Sequence, residues 1–79
     1  MRIGKVIGNV ISTKKHQTLI GCKFMRVELE SKEKIVAVDQ IGAGIGERVI
    51  ITEGHNTVYA MNSNTKQPID AIIIGIVDE

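Results

Sequence analysis

Three groups of residues in this chain could do chemistry: a glycine loop, a cysteine with two histidines, and two aspartates. Gly42, Gly44 and Gly46 sit on alternate positions of Ile41-Gly42-Ala43-Gly44-Ile45-Gly46-Glu47. A backbone so free of side chains can turn at positive φ or come very close to another surface. Phosphate binding is the first chemistry to test. A dinucleotide loop needs G-x-G-x-x-G between a strand and a helix, so that the helix N-terminus faces the pyrophosphate. The spacing here is G-x-G-x-G, and the Val49-Ile50-Ile51-Thr52 that follows is a strand former, not a helix start. No Lys-Ser or Lys-Thr follows the loop, so the Walker pattern fails as well. Two other readings stay open. The loop is a hairpin connection whose glycines satisfy turn geometry, or it packs tightly against a neighbouring chain.

Cys22, His16 and His55 could in principle supply a nucleophile and a base. A free cysteine at a strand start, however, behaves as a small hydrophobe. His16 falls in a polar loop and His55 at a strand end, where both are solvated. Asp39 and Asp70 could form a carboxylate pair, yet aspartates at loop edges commonly accept hydrogen bonds from nearby backbone N–H groups. No spacing among these residues specifies a reaction. The expectation is a protein that is not an enzyme, with no cofactor and no metal. A single cysteine excludes an intrachain disulfide framework and every multi-cysteine zinc pattern.

The segments that must position these residues read as strands. A first strand over 3–12 places Gly4, Val6, Gly8 and Val10 on one face and Ile3, Lys5, Ile7, Asn9 and Ile11 on the other. Its two same-face glycines predict the bend that a small closed barrel needs. Residues 13–18 form a polar connection. Over 23–30, Met25, Val27 and Leu29 alternate with Phe24, Arg26, Glu28 and Glu30, the pattern of a half-buried strand. Further strands follow over 35–39 and 49–52, on either side of the glycine loop. Asn56 can cap a single helical turn running to Met61, residues 62–67 form a polar loop, and Pro68 stops any helix before a last strand over 71–77. That last strand is nearly all isoleucine and should be buried on both faces. The expected architecture is all-β, one domain over 1–79: a small five-stranded Greek-key or OB-like barrel with one short helical turn.

With 79 residues, such a chain buries only about 60% of its unfolded surface, and its own core is marginal. Disulfides and metals being excluded, oligomerisation is the remaining support. The composition favours it: 43% of residues are hydrophobic, only 3% aromatic, and so much aliphatic strand surface cannot all face inward. The net charge of +1 projects no strong field toward nucleic acid or an anionic membrane. Nucleic-acid binding on an OB-like barrel is the second function class, and it needs stacking aromatics beside a basic groove. Phe24 and Tyr59 are the only aromatics, and Glu28 and Glu30 share a strand face with Phe24. Met1-Arg2-Ile3-Gly4-Lys5 lacks the apolar core of a signal peptide, and no apolar run approaches the roughly 20 residues that span a bilayer. The expected location is the cytoplasm, without a membrane partner.

Five segments, in order along nearly the whole chain, resemble one family. They are Gly4-Lys5-Val6-Ile7-Gly8-Asn9-Val10, Leu19-Ile20-Gly21-Cys22-Lys23, Ala37-Val38-Asp39, Gly42-Ala43-Gly44-Ile45-Gly46-Glu47, and Pro68-Ile69-Asp70-Ala71 with Ile76-Val77-Asp78. The chain is similar to the bacterial microcompartment vertex proteins. That resemblance implies an OB-like barrel that forms a homopentamer and closes the corners of a polyhedral shell built with hexameric shell proteins. It also gives the glycine loop a different reason: five copies converge near a five-fold axis, where side chains beyond Cβ collide. Gly42, Ala43, Gly44, Ile45, Gly46 and Glu47 are therefore the residues expected at the axis or the adjoining interface. Glu47 and Arg48 would sit near the ring entrance or pair across the interface. The segment from His55 to Tyr59 departs from many relatives, and no role is carried over to it. The chain stops at Glu79, without the C-terminal extension of some carboxysomal members, which implies a catabolic compartment.

Overall fold

The computed structural model describes residues 1–12, 15, 17–54 and 69–78. Five strands, β1 (Arg2–Val10), β2 (Lys23–Leu29), β3 (Lys34–Asp39), β4 (Arg48–Glu53) and β5 (Ala71–Ile76), close into a barrel in the order β1-β2-β3-β5-β4. Every pairing is antiparallel except β3 with β5, which is parallel at Val38 and Asp39 against Ile72 and Ile73. The expected five-stranded all-β barrel is therefore present.

Alternation explains the wall. On β2, Met25, Val27 and Leu29 face the interior, while Lys23 and Arg26 are exposed. On β1, Gly4 and Val6 face inward opposite Leu29 and Val27. Gly4 has no room for a side chain, since a Cβ there would stand 2.5 Å from Val27 Cγ1 and 3.0 Å from the Glu28 carbonyl. The pairing of β1 with β2 shifts between Val6 and Gly8. Such a bulge bends a strand and raises its twist, and it gives the curvature that the spacing of Gly4 and Gly8 predicts. The interior is filled by Val6, Met25, Val27, Leu29, Ala37, Ala43, Val49, Ile51, Ala71 and Ile73. A second, smaller apolar cluster lies apart from it, where Val38 and Ile72 pack with Cys22, Phe24 and Ile69.

Three expectations need correction or placement. The last strand is buried on both faces only over Ala71, Ile72 and Ile73; Ile74 is 40% exposed, beyond the two residue pairs that join β5 to β3. Strands β3 and β4 do not pair with each other, so the glycine loop is not a hairpin turn. It carries the chain across the barrel from the β2/β5 side of β3 to the β1/β5 side of β4. The helical turn expected over 56–61 lies outside the described residues. Among the described residues a 3-10 turn spans Gln17–Leu19, overlapping the segment read as a polar connection.

Candidate functional site

The glycine loop begins at Asp39, the last residue of β3. Alternation along β3 turns its side chain toward the barrel, and that side chain is completely buried. A carboxylate in such a place must be hydrogen-bonded. Its Oδ1 accepts from the N–H groups of Ile41 (3.0 Å) and Gly42 (3.1 Å), and its Oδ2 from the N–H of Ala43 (2.8 Å). The next N–H along the chain, that of Gly44, donates to Glu47 Oε1 at 2.6 Å, and the Glu47 N–H returns to the Gly44 carbonyl at 3.1 Å. Four consecutive backbone N–H groups thus end on the chain's own two carboxylates. Lys23, opposite Asp39 on β2, brings its Nζ to 4.0 Å from Oδ2. At that distance and with Lys23 more than half exposed, the pair contributes little.

The glycines divide by role. Gly42 has φ +82° and Gly46 φ +93°, both in the left-handed region, so two of the three are required by the path of this single chain. Gly44 lies outside that region, but a Cβ there would stand 3.2 Å from Glu47 Oε1, against the carboxylate that holds the loop. Ala43 is 1% exposed and belongs to the barrel core. Ile41 and Ile45 point the other way and are 45% and 64% exposed. Beyond the loop, the Gly46 N–H donates to the Val6 carbonyl and the Val6 N–H to the Glu47 carbonyl, which ties the loop's exit to β1. Gly42, Ala43, Gly44, Ile45, Gly46 and Glu47, with Ile41 before them, are therefore one fixed segment that presents two isoleucines.

This arrangement closes the phosphate question on chemical grounds. A nest of successive N–H groups binds anions, but these are already bonded to two carboxylates that would repel one. The other sequence candidates do not converge. Cys22 is half-buried in the smaller apolar cluster, Asp39 spends both oxygens on the loop, and Asp70 is exposed. His16, His55 and Tyr59 lie outside the described residues. Phe24 packs in the same cluster as Cys22 with Lys15 Nζ 5.1 Å from its ring centroid, so it is not an open stacking platform. A cleft of about 440 Å³ is lined by Met1, Ile3, Leu29 and Ile50 with Arg2, Glu30 and Ser31. No histidine or cysteine lines it beside the Ser31 hydroxyl.

Beside that cleft Arg2 grips Glu53 with two bonds, Nε to Oε1 at 2.6 Å and Nη2 to Oε2 at 2.9 Å. The hydrogen bond to Glu53 raises the Arg2 pKa, and the same bond holds the Glu53 carboxyl below the usual glutamate range. Sequence reasoning anticipated the backbone bonds of Asp39 but missed that of Glu47. The available signal was a glutamate three residues after Gly44, the offset at which a side chain reaches back to a free N–H.

Comparison with known proteins adds a consistent picture. The family model for the ethanolamine utilisation protein EutN/carboxysome family matches residues 1–78. The carboxysome shell vertex protein CcmL of Gloeobacter violaceus is 36% identical, with 99% of this chain and 83% of that protein aligned. The bacterial microcompartment shell vertex protein GrpN of Rhodospirillum rubrum is 39% identical over 99% of this chain and 93% of its own length. Among solved structures, the pentameric shell protein MSM0273 from the RMM microcompartment superposes with a TM-score of 0.90 at 37% identity, covering 99% of this chain and 91% of that one.

Proposed function

The chain belongs to the ethanolamine utilisation protein EutN/carboxysome family and is a microcompartment shell vertex protein; we propose that five copies close each vertex without catalysis, with residues 42–47 at the contact between neighbours. The observation that carries the placement is the loop itself. A ring about a five-fold axis uses heterologous contacts, in which one patch of each copy meets a different patch of the next. Such a contact must lose its water, and buried polar groups left unpaired there are costly. The loop is suited to this because its N–H groups from Ile41 to Gly44 are satisfied within the chain, while Ile41 and Ile45 stand exposed. It offers apolar side chains beside four N–H groups that need no acceptor from a partner.

The role is geometric. A sheet tiled by six-fold units alone stays flat or rolls into a tube, and five-fold points close it into a polyhedron. The chain supplies those points in the cytoplasmic shell, beside hexameric shell proteins, and no step of this role needs a reacting group or a cofactor. Native mass spectrometry of the purified chain should show a pentamer; a dominant monomer or dimer refutes the ring. Co-expression of a hexameric shell protein with and without this chain, followed by electron microscopy, tests the vertex. Closed polyhedra are expected only with it, and equal numbers of sealed particles in both samples would defeat the assignment.

A further inference from the structure

We infer that Asp39 is the positioning residue of the ring contact, acting on assembly through the backbone of residues 41–43, and that Glu47 completes the same clamp at Gly44 with a looser chemical requirement. The inference rests on the placement of the loop at the contact between copies. It starts from the number of oxygens each carboxylate uses. Asp39 commits both, Oδ1 to Ile41 and Gly42 and Oδ2 to Ala43. Glu47 holds the loop with Oε1 alone.

An amide in place of each carboxylate therefore has opposite consequences. Asparagine at 39 has one accepting oxygen and one NH₂, and in either orientation the NH₂ faces a backbone N–H. Turned one way it confronts Ala43, which is sealed in the core; turned the other it confronts Ile41 and Gly42. Donor against donor at 2.8–3.1 Å is repulsive, and the buried Ala43 N–H, once without an acceptor, cannot turn to water. The loop must shift, and Ile41 and Ile45 shift with it. Glutamine at 47 keeps an oxygen for the Gly44 N–H, so the loop's exit is retained. Charge strengthens such bonds, but at 47 the geometry survives without it.

The test measures ring dissociation by dilution in native mass spectrometry or sedimentation, beside far-UV circular dichroism and amide exchange. Asp39→Asn should weaken the ring by about tenfold or more, from the loss of a buried hydrogen bond to a charged acceptor. It should also speed amide exchange at 41–43 while β2 amides stay protected. Glu47→Ala should weaken the ring too, and Glu47→Gln should restore it to near the parent. Val27→Ala, a cavity in the barrel wall, separates stability from positioning: it should lower the melting temperature and keep the ring. Ile45→Asp reports on placement alone, because that side chain is 64% exposed and anchors nothing inside the barrel. If Ile45→Asp breaks the ring and Asp39→Asn does not, the placement stands and the clamp inference fails. If Ile45→Asp keeps the ring, the placement fails and the inference with it. Should Asp39→Asn not fold, the Glu47 pair decides, and equal weakening by Ala and Gln overturns the asymmetry.

Discussion

The barrel wall and the glycine loop are adjacent, share Ala43, and are held by opposite chemistry. The wall rests on interlocked aliphatic side chains, with Val6, Val27, Val49 and Ile51 at 0% exposure. The loop rests on hydrogen bonds from consecutive N–H groups to two carboxylates. Apolar packing is non-directional and tolerates swaps of similar volume. Charged hydrogen bonds are directional and lose their value when one atom changes type. The wall should therefore respond to changes of volume, and the loop to changes of chemistry. Ile51→Ala sharpens this with the largest expected effect. Removing the branched end of a fully buried isoleucine should cost about 2–5 kcal/mol, and fold and ring should fail together. Thermal melting beside native mass decides it; a ring lost while the melt is unchanged would contradict the division.

Gly44→Val attacks the other side of the comparison. The backbone there is not in the left-handed region, so the substitution is not forbidden by φ, unlike one at Gly42 or Gly46. Its new Cβ would press on Glu47 Oε1 at 3.2 Å and its methyl groups would enlarge the loop's outer face. Strand content by far-UV circular dichroism should match the parent while the oligomer mass falls. A folded pentamer indistinguishable from the parent would move the contact away from this loop.

How far the sequence revealed these two regions follows from the range of their forces. The alternation of Met25, Val27 and Leu29 is local, and it foretold β2 correctly. The parallel pairing of β3 with β5 joins residues more than thirty positions apart and is written in no local pattern. Without it, a strand-loop-strand segment reads as a hairpin. The exposure of Ile74 was hidden for the same reason, since which part of a continuous apolar run is covered depends on where its partner strand ends. At the loop, crowding between copies was the reason expected for three glycines. The conformation of one chain already demands Gly42 and Gly46. Asp39 was legible as a loop-edge aspartate that bonds backbone N–H groups. Glu47 was read toward Arg48 or a ring entrance, and its bond to Gly44 was not foreseen.

A third carboxylate tests whether the loop's fastening is special. Glu53 is bonded to a side chain, Arg2, and both are a third or more exposed. Its folded pKa is depressed below the usual glutamate value, chiefly by the Arg2 hydrogen bond. The stabilisation is therefore present above the unfolded pKa, near 4.5, and is lost as pH falls through the lower folded value. Glu53→Gln should lower the melting temperature slightly at neutral pH and not at all in strong acid. Solvent screening keeps this below the effect of any core truncation. A parent and variant that differ equally at every pH would show that the ion pair contributes nothing.

The smallest expected effect is at Cys22. Its side chain is half-buried against Val38, Ile72, Phe24 and Ile69, and its N–H donates to the Leu19 carbonyl, a backbone bond that any residue keeps. Serine is close in size, and a hydroxyl at this partly open position can turn toward water, so Cys22→Ser should change stability by about 0.5 kcal/mol or less. The ring should be untouched, because the cluster around Cys22 lies apart from the barrel interior and from Ala43, through which the loop is anchored. Native mass and thermal melting of the variant check both statements. If the ring were lost with the melt unchanged, the contact between copies would run through this smaller apolar cluster and not through the loop. The carboxylate clamp would then serve the fold of one chain alone.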